Sequence, residues 1–247
     1  MKNRAHYARR GAPVKTPEDH KAKSGNIAEF ARKLPFLSCL DDEEIIILRH
    51  VITERQFVKD QVILREEDTP NYLYFIYSGK VKIIQSGAGG KEKVIAIHQQ
   101  GDYFGEMAIL DGRTEPASVV ALENTRIGLL SGDVFNKHFM GNNKILREII
   151  NLLCSRLRDA WSMVKVMSFA DAEHRVRAVL KYMGERFGVP DPRGTVIRFR
   201  LTHGDIAGFA SLSRETVTRI LSRLEKADEI EARPRRDILL KPAFIKK

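Results

Sequence analysis

The chain has 247 residues, a length that suits two domains of ordinary size, and carries a formal net charge of +10. Apolar runs such as Ile45–Leu48 are far too short to span a bilayer, and the opening MKNRAHYARRGAP holds no apolar segment of a secretory signal. Two cysteines, Cys39 and Cys154, are too few for an iron–sulfur cluster and read as packed thiols in a reducing, cytoplasmic setting.

The charge is unevenly placed. Residues 1–25 hold seven Lys/Arg against two Asp/Glu, residues 26–169 hold 18 against 19, and residues 170–247 hold 17 against 11. A basic end beside a near-neutral middle suggests nucleic acid at the C-terminal end and a different task before it. Residues 1–25 also lack apolar periodicity and contain Gly11, Pro13, Pro17 and Gly25. They read as a disordered tail or as an arm adding non-specific DNA contacts.

Residues 26–140 are expected to form a sensor domain. Phe30, Leu34, Phe36, Leu37, Leu40, Ile45 and Leu48 suggest short helices, with Asp41 as a cap. Stretches 56–64, 72–78, 80–85, 93–98, 118–121 and 125–130 are rich in β-branched and aromatic residues and are separated by Gly, Pro, Asp or Ser. That spacing predicts an antiparallel β-roll or jelly roll. Residues 141–169 change period. Leu146, Ile150, Leu153, Leu157, Ala160, Val164 and Met167 recur in steps of four and three, a heptad seam that predicts a dimerisation helix. A second stripe, Ile145, Ile149 and Leu152, suits a helix facing a partner copy on one side and its own roll on the other. The alternative is a long helix packed only within its own chain. Phe169-Ala170-Asp171 is expected to end it as a hinge.

Residues 170–247 open with a helix over 172–187, a Pro-containing loop over 188–194 and a strand over 196–201. Thr202 then precedes Ile206, Ala207 and Phe209, with Asp205 at capping-box spacing. Ser213 offers a second N-cap, and Val217, Ile220, Leu221 and Leu224 share one helical face. Glu215, Thr218, Arg219 and Ser222 fall opposite, with Arg214 on the flank. A core helix has no need of such charges near its start, whereas a recognition helix enters the DNA major groove with them. A hairpin wing is expected over 229–241, where Arg235 and Arg236 at the tip either reach phosphates or sit in a solvated turn.

The run SRETVTRIL resembles the recognition helix of the Crp/Fnr (catabolite activator) family of transcription regulators, on the cyclic-AMP receptor side. The stretch Gly101-Asp102-Tyr103-Phe104-Gly105-Glu106-Met107-Ala108 is similar to the phosphate-binding cassette of that family. The resemblance covers most of residues 27–245. It implies an α+β protein with a cyclic-nucleotide-binding-type roll, a long dimerisation helix and a C-terminal winged helix-turn-helix. It further implies TGTGA-like half-sites in an inverted repeat, read by Ser213, Arg214, Glu215, Thr218 and Arg219, and RNA polymerase as a partner. In the cassette it implies that Gly105, Glu106 and the amides of Met107 and Ala108 hold a cyclic nucleotide.

This sequence departs from the pattern where an arginine should neutralise the phosphate. Glu115 stands there, before Pro116 and Ala117; Arg113 is the nearest substitute. Two unit charges about 4 Å apart interact by roughly 4 kcal/mol at an effective dielectric of about 20, so the exchange turns attraction into repulsion. Ala160 and Trp161 stand where family members present hydroxyls to adenine, and Trp161 is expected to stack on a base or fill the pocket. These departures argue against a cyclic nucleotide, and no cofactor is assigned. A haem would need an axial ligand, and His50, His98 and His138 read as surface or packing residues. His98 alone lies in an expected strand, too few for a metal-dependent oxygenase on the roll, so no enzyme is expected.

Overall fold

The computed structural model describes residues 40–87, 92–168, 171–198, 201–234 and 237–245. The N-terminal 25 residues and Cys39 lie outside them. Helix α1 (Asp42–Val51) starts from a reciprocal capping box, the Asp41 carboxylate accepting from the Glu44 amide and Glu44 accepting from the Asp41 amide. Strands β1 (Thr53–Phe57), β2 (Val62–Leu64), β3 (Tyr72–Ser78), β4 (Lys80–Ser86), β5 (Glu92–Gln99), β6 (Tyr103–Phe104), β7 (Ser118–Ala121) and β8 (Thr125–Ser131) follow, with helix α2 (Glu106–Asp111) between β6 and β7. They form two antiparallel sheets, ordered β1-β8-β3-β6 and β2-β7-β4-β5. The single strand expected over 56–64 is two strands in different sheets, because the chain turns at Lys59-Asp60, with Asp60 at φ +66°.

Alternation sorts the strand side chains between cores. On β3, Tyr74 and Ile76 join Val81, Val119 and Ile127 between the sheets. Leu73, Phe75 and Tyr77 join the helical layer made by α1, α3 (Gly132–His138) and α4 (Asn143–Ser168). The helical stretch expected after Asp133 is therefore two helices. They part at residues 139–142, where Asn142 Oδ1 accepts from the Lys144 amide at 2.9 Å and caps α4. Ile145 and Ile149 of α4 are buried against the roll, as the second stripe requires.

The C-terminal domain comprises α5 (Ala172–Phe187), β9 (Gly188–Asp191), β10 (Gly194–Ile197), α6 (His203–Ala210), α7 (Arg214–Lys226), β11 (Ile230–Ala232), β12 (Ile238–Leu240) and α8 (Pro242–Ile245). Hinge residues 169 and 170 lie outside the described residues; Asp171 caps α5 by accepting from the His174 amide. The expected loop over 188–194 is instead a hairpin of β9 and β10. Pro190 pairs opposite Thr195, which is tolerated because β9 is the edge of the sheet β11-β12-β10-β9.

The outer face of the second roll sheet is not exposed. Its Ile84, Val94 and Val120 share one core with Ile206, Phe209, Val217 and Leu221 of the C-terminal domain. Helix α6 lies so close that a Cβ on Gly208 would meet Val94 Cγ2 at 2.8 Å and the Glu92 carbonyl oxygen at 3.2 Å. Lys82 on β4 pairs with Asp205 on α6 at 3.1 Å, their side chains 17% and 7% exposed. Asp205 also accepts from the Thr202 amide at 2.9 Å, completing the capping box of α6. Among the described residues, no helix is long and apolar enough to cross a membrane.

Replacing Asp205 by Ala removes a helix cap and leaves the half-buried Lys82 ammonium with Glu92 at 3.4 Å. The variant should lose about 2–4 kcal/mol of stability in urea unfolding, and Asp205→Asn, which keeps an acceptor, should lose less. An unchanged unfolding midpoint would show that the pair does not hold the domains together.

Candidate DNA-reading surface and sensor pocket

Helix α7 grows from Ser213, whose hydroxyl oxygen accepts from the Thr216 amide at 3.1 Å. The turn before it passes through Ser211 in a left-handed conformation, φ +51°. Val217, Ile220, Leu221 and Leu224 are buried, so the helical period puts Arg214, Glu215, Thr218 and Arg219 outward, and all four are exposed. Hydrogen bonds from its own backbone amide and the Ser213 hydroxyl hold the Glu215 carboxyl below the usual carboxylate range, so it stays an anionic acceptor. Several other arginines of the domain are occupied: Arg177 by Glu229 at 3.0 Å, Arg223 by Glu173 at 2.7 Å and Arg233 by Asp191 at 3.0 Å. A cleft of about 400 Å³ opens between α7 and the wing, lined by Thr202, His203, Arg214, Ser222, Arg233 and Asp237. Arg235 and Arg236, at the wing tip, lie outside the described residues.

The sensor cassette is built where β6 turns into α2. Gly105 has φ +84°, and a Cβ there would sit 2.5 Å from the Tyr72 carbonyl oxygen, so only glycine fits. Glu106 is thereby carried inward and is 3% exposed. Its carboxylate is already engaged. Arg156, from α4, donates to Glu106 Oε1 and to the carbonyl of Tyr103. Arg156 was not among the residues singled out in the sequence, yet a signal for it exists there. It extends the roll-facing stripe Ile145, Ile149, Leu152 by one more step, and an arginine on an apolar stripe requires a buried polar partner.

Glu115 is 5% exposed, its backbone fixed to Asp68 and Glu67 by hydrogen bonds of 2.9 Å. Burial first, then the Glu106 carboxylate, push its acid group up to about 7. Glu115 Oε1, Glu106 Oε2 and Arg156 Nε are buried without hydrogen-bond partners. Arg113 is exposed, and its amide is tied to Asp111. Pro116 is exposed with its carbonyl accepting from Gln85, while Ala117 is buried. Met107 is exposed and Ala108 half-buried. The space beneath α2 is about 10 Å³, lined by Leu73, Tyr103, Glu106 and Phe135 among others. That space is small beside ligand pockets of about 300 Å³ or more.

Two expectations for the long helix are corrected. Trp161 is 65% exposed and Ala160 is exposed, so neither lines the cassette of its own chain. Both stand on the outward side of α4, with Ile150, Leu153, Leu157 and Val164, which are 59%, 36%, 51% and 67% exposed. Leu146, at the start, is half-buried. Met167 leaves this stripe: it packs with Met163 and Val166 against the C-terminal core, because the domain folds back over that end of the helix. Cys154 is exposed rather than packed, since it neighbours Leu153 on the uncovered side.

Residues 54–142 match the family model of the cyclic nucleotide-binding domain, and residues 174–243 match that of the Crp-like helix-turn-helix domain. The cyclic AMP receptor protein of Thermus thermophilus is 29% identical over 81% of this chain and 89% of its own length. The regulatory protein HlyX of Actinobacillus pleuropneumoniae is 28% identical over 80% of this chain and 81% of its own. The solved structure of FixK2 from Bradyrhizobium japonicum superposes with a TM-score of 0.69 at 24% identity, covering 78% of this chain and 94% of that one.

The Glu115 acid group ionises near 7 in the folded chain, against an ordinary value of 4.5. The folded state thus keeps a proton that the unfolded chain releases. Its contribution to stability is full below about pH 4.5, declines as pH rises towards 7, and is lost above. Glu115→Gln, neutral throughout, should erase that decline and exceed wild type by on the order of 3 kcal/mol at alkaline pH. Denaturant unfolding across this range checks it, and parallel pH profiles for the two proteins would refute it.

Proposed function

The chain belongs to the Crp/Fnr family of transcription regulators, joining a cyclic nucleotide-binding domain to a Crp-like helix-turn-helix, and from that premise we propose a homodimeric regulator that binds an inverted-repeat DNA site. The observation that carries this reading is the outward row Arg214, Glu215 and Arg219 on a helix whose opposite side is wholly buried. Arginine suits guanine O6 and N7, and glutamate suits the cytosine amino group. The uncovered stripe from Ile150 to Val164 is the surface a second copy would bury, giving a parallel helix pair. Such a pair sets two recognition helices at half-sites one helical turn apart, with TGTGA-like sequence by family resemblance. RNA polymerase is the proposed protein partner.

The roll would govern the placement of those helices, but not by binding a cyclic nucleotide. By the family resemblance Glu115 stands where a phosphate-neutralising cation is expected, it is buried, and Arg156 already holds Glu106. The effector is then another molecule, or none is required. A regulatory subunit acting only on a protein partner is the weaker reading, because it leaves the charged row on α7 without a task.

Selection from random duplexes should return an inverted repeat whose binding weakens steeply with salt. Arg219→Ala should bind that site about 1–3 kcal/mol more weakly and relax preference at one base pair of each half. Recovery of no palindrome would overturn this reading. In calorimetry, cyclic AMP should give little or no heat with wild type, and Glu115→Arg should gain affinity by supplying the missing cation. Micromolar binding by wild type would overturn the account of the pocket.

A further inference from the structure

We infer that Thr218 adds an apolar discriminator to the charged reading row: its methyl group recognises the C5 methyl of a thymine in the major groove. The inference rests on the DNA-reading function proposed above. Thr218 is exposed on α7, one turn after Arg214, three residues after Glu215 and next to Arg219. It therefore shares the face that would meet base edges.

A threonine hydroxyl ordinarily offers a base one donor and two acceptor sites. Here it is committed elsewhere. The Thr218 hydroxyl oxygen lies 2.9 Å from the Arg214 carbonyl oxygen and 2.7 Å from Nδ1 of His203, in the first turn of α6. It has one proton for both contacts. If that proton goes to Arg214, then His203 donates Nδ1–H to the hydroxyl oxygen; if it goes to His203, the imidazole is the acceptor. Either way the proton stays within the protein. Thr218 thus has no donor left for purine N7 or O6 or for thymine O4. Its oxygen can still accept from an adenine or cytosine amino group, but towards thymine the distinctive group it offers is the γ-methyl, held in its rotamer by the two oxygen contacts. On the major-groove edges of the four bases, the apolar group is the thymine methyl. His203 acts as a positioning residue, fixing that rotamer from the first helix of the motif.

The test starts from a duplex selected by the wild-type protein, in which each thymine of a half-site is replaced in turn by deoxyuridine. That exchange removes only the C5 methyl. Wild type should weaken about fourfold at one thymine per half-site, the change that corresponds to burying one methyl group, and should be unaffected at the others. Thr218→Val retains the methyl and should keep the discrimination. Thr218→Ser retains the hydroxyl and should lose it, while still selecting the same guanines through Arg214 and Arg219. Selective binding by wild type with no thymine sensitive to the exchange, or full discrimination by Thr218→Ser, overturns the inference and leaves the DNA-reading function standing. Failure of wild type to bind any duplex selectively overturns that function and this inference together.

Discussion

A β-sheet that is apolar on both faces must be covered on both, and in this chain that requirement ties the roll to the helix-turn-helix domain. The inner face of the sheet β2-β7-β4-β5 packs against the other half of the roll, and its outer face packs against the C-terminal domain. Helix α6 makes that second contact and also packs on the recognition helix α7. Helix α6 therefore links the roll to the helix that carries Arg214, Glu215 and Arg219. The Lys82–Asp205 pair adds direction to an otherwise slippery apolar contact, since an ion pair with 7% and 17% exposed members tolerates little lateral shift. Gly208 sets the depth of the contact, because any side chain there would push α6 off the strand.

The pocket of the roll is built around buried charge. Gly105 turns the chain and Glu106 points inward. What surrounds Glu106 is a second buried carboxyl group and a guanidinium from the chain's own long helix. The cation that neutralises this site is thus internal, and it comes from the same helix that carries the uncovered apolar stripe. Any change that draws Arg156 away leaves the Glu106 carboxylate beside Glu115, whose acid group that carboxylate already pushes up. One side chain thus joins the roll cassette to the long helix.

Where local chemistry decides a feature, the sequence was a sufficient guide. The capping residues Asp41, Thr202 and Ser213 all start helices, the strand over 72–78 has its expected bounds, and the helix over 172–187 ends where expected. The outward row on α7 was legible for the same reason, since a period of 3.6 residues fixes opposite faces of one helix. Features that depend on distant packing were not legible. Pro190 concealed an edge strand, because proline weakens the strand signal whether or not the ladder needs its missing N–H. The two-residue strand at Tyr103-Phe104 is too short to show a period. Trp161 read as a pocket residue because alignment gives a position along a helix and not which neighbour covers it. Arg156 was passed over because its partner, Glu106, is 50 residues away.

Pro190 has a further consequence. The sheet of the C-terminal domain ends on one side in β9, where this proline removes a hydrogen-bond donor, and on the other in β11, only three residues long. Neither rim offers a ladder long enough to recruit a strand from a neighbouring molecule. Proteins that gather side by side on a long polyanion are held at high local concentration, where open sheet edges seed fibres. In this chain both rims of the C-terminal sheet are blunted, and the apolar surface left uncovered is a helix stripe, whose association would stop once it is covered.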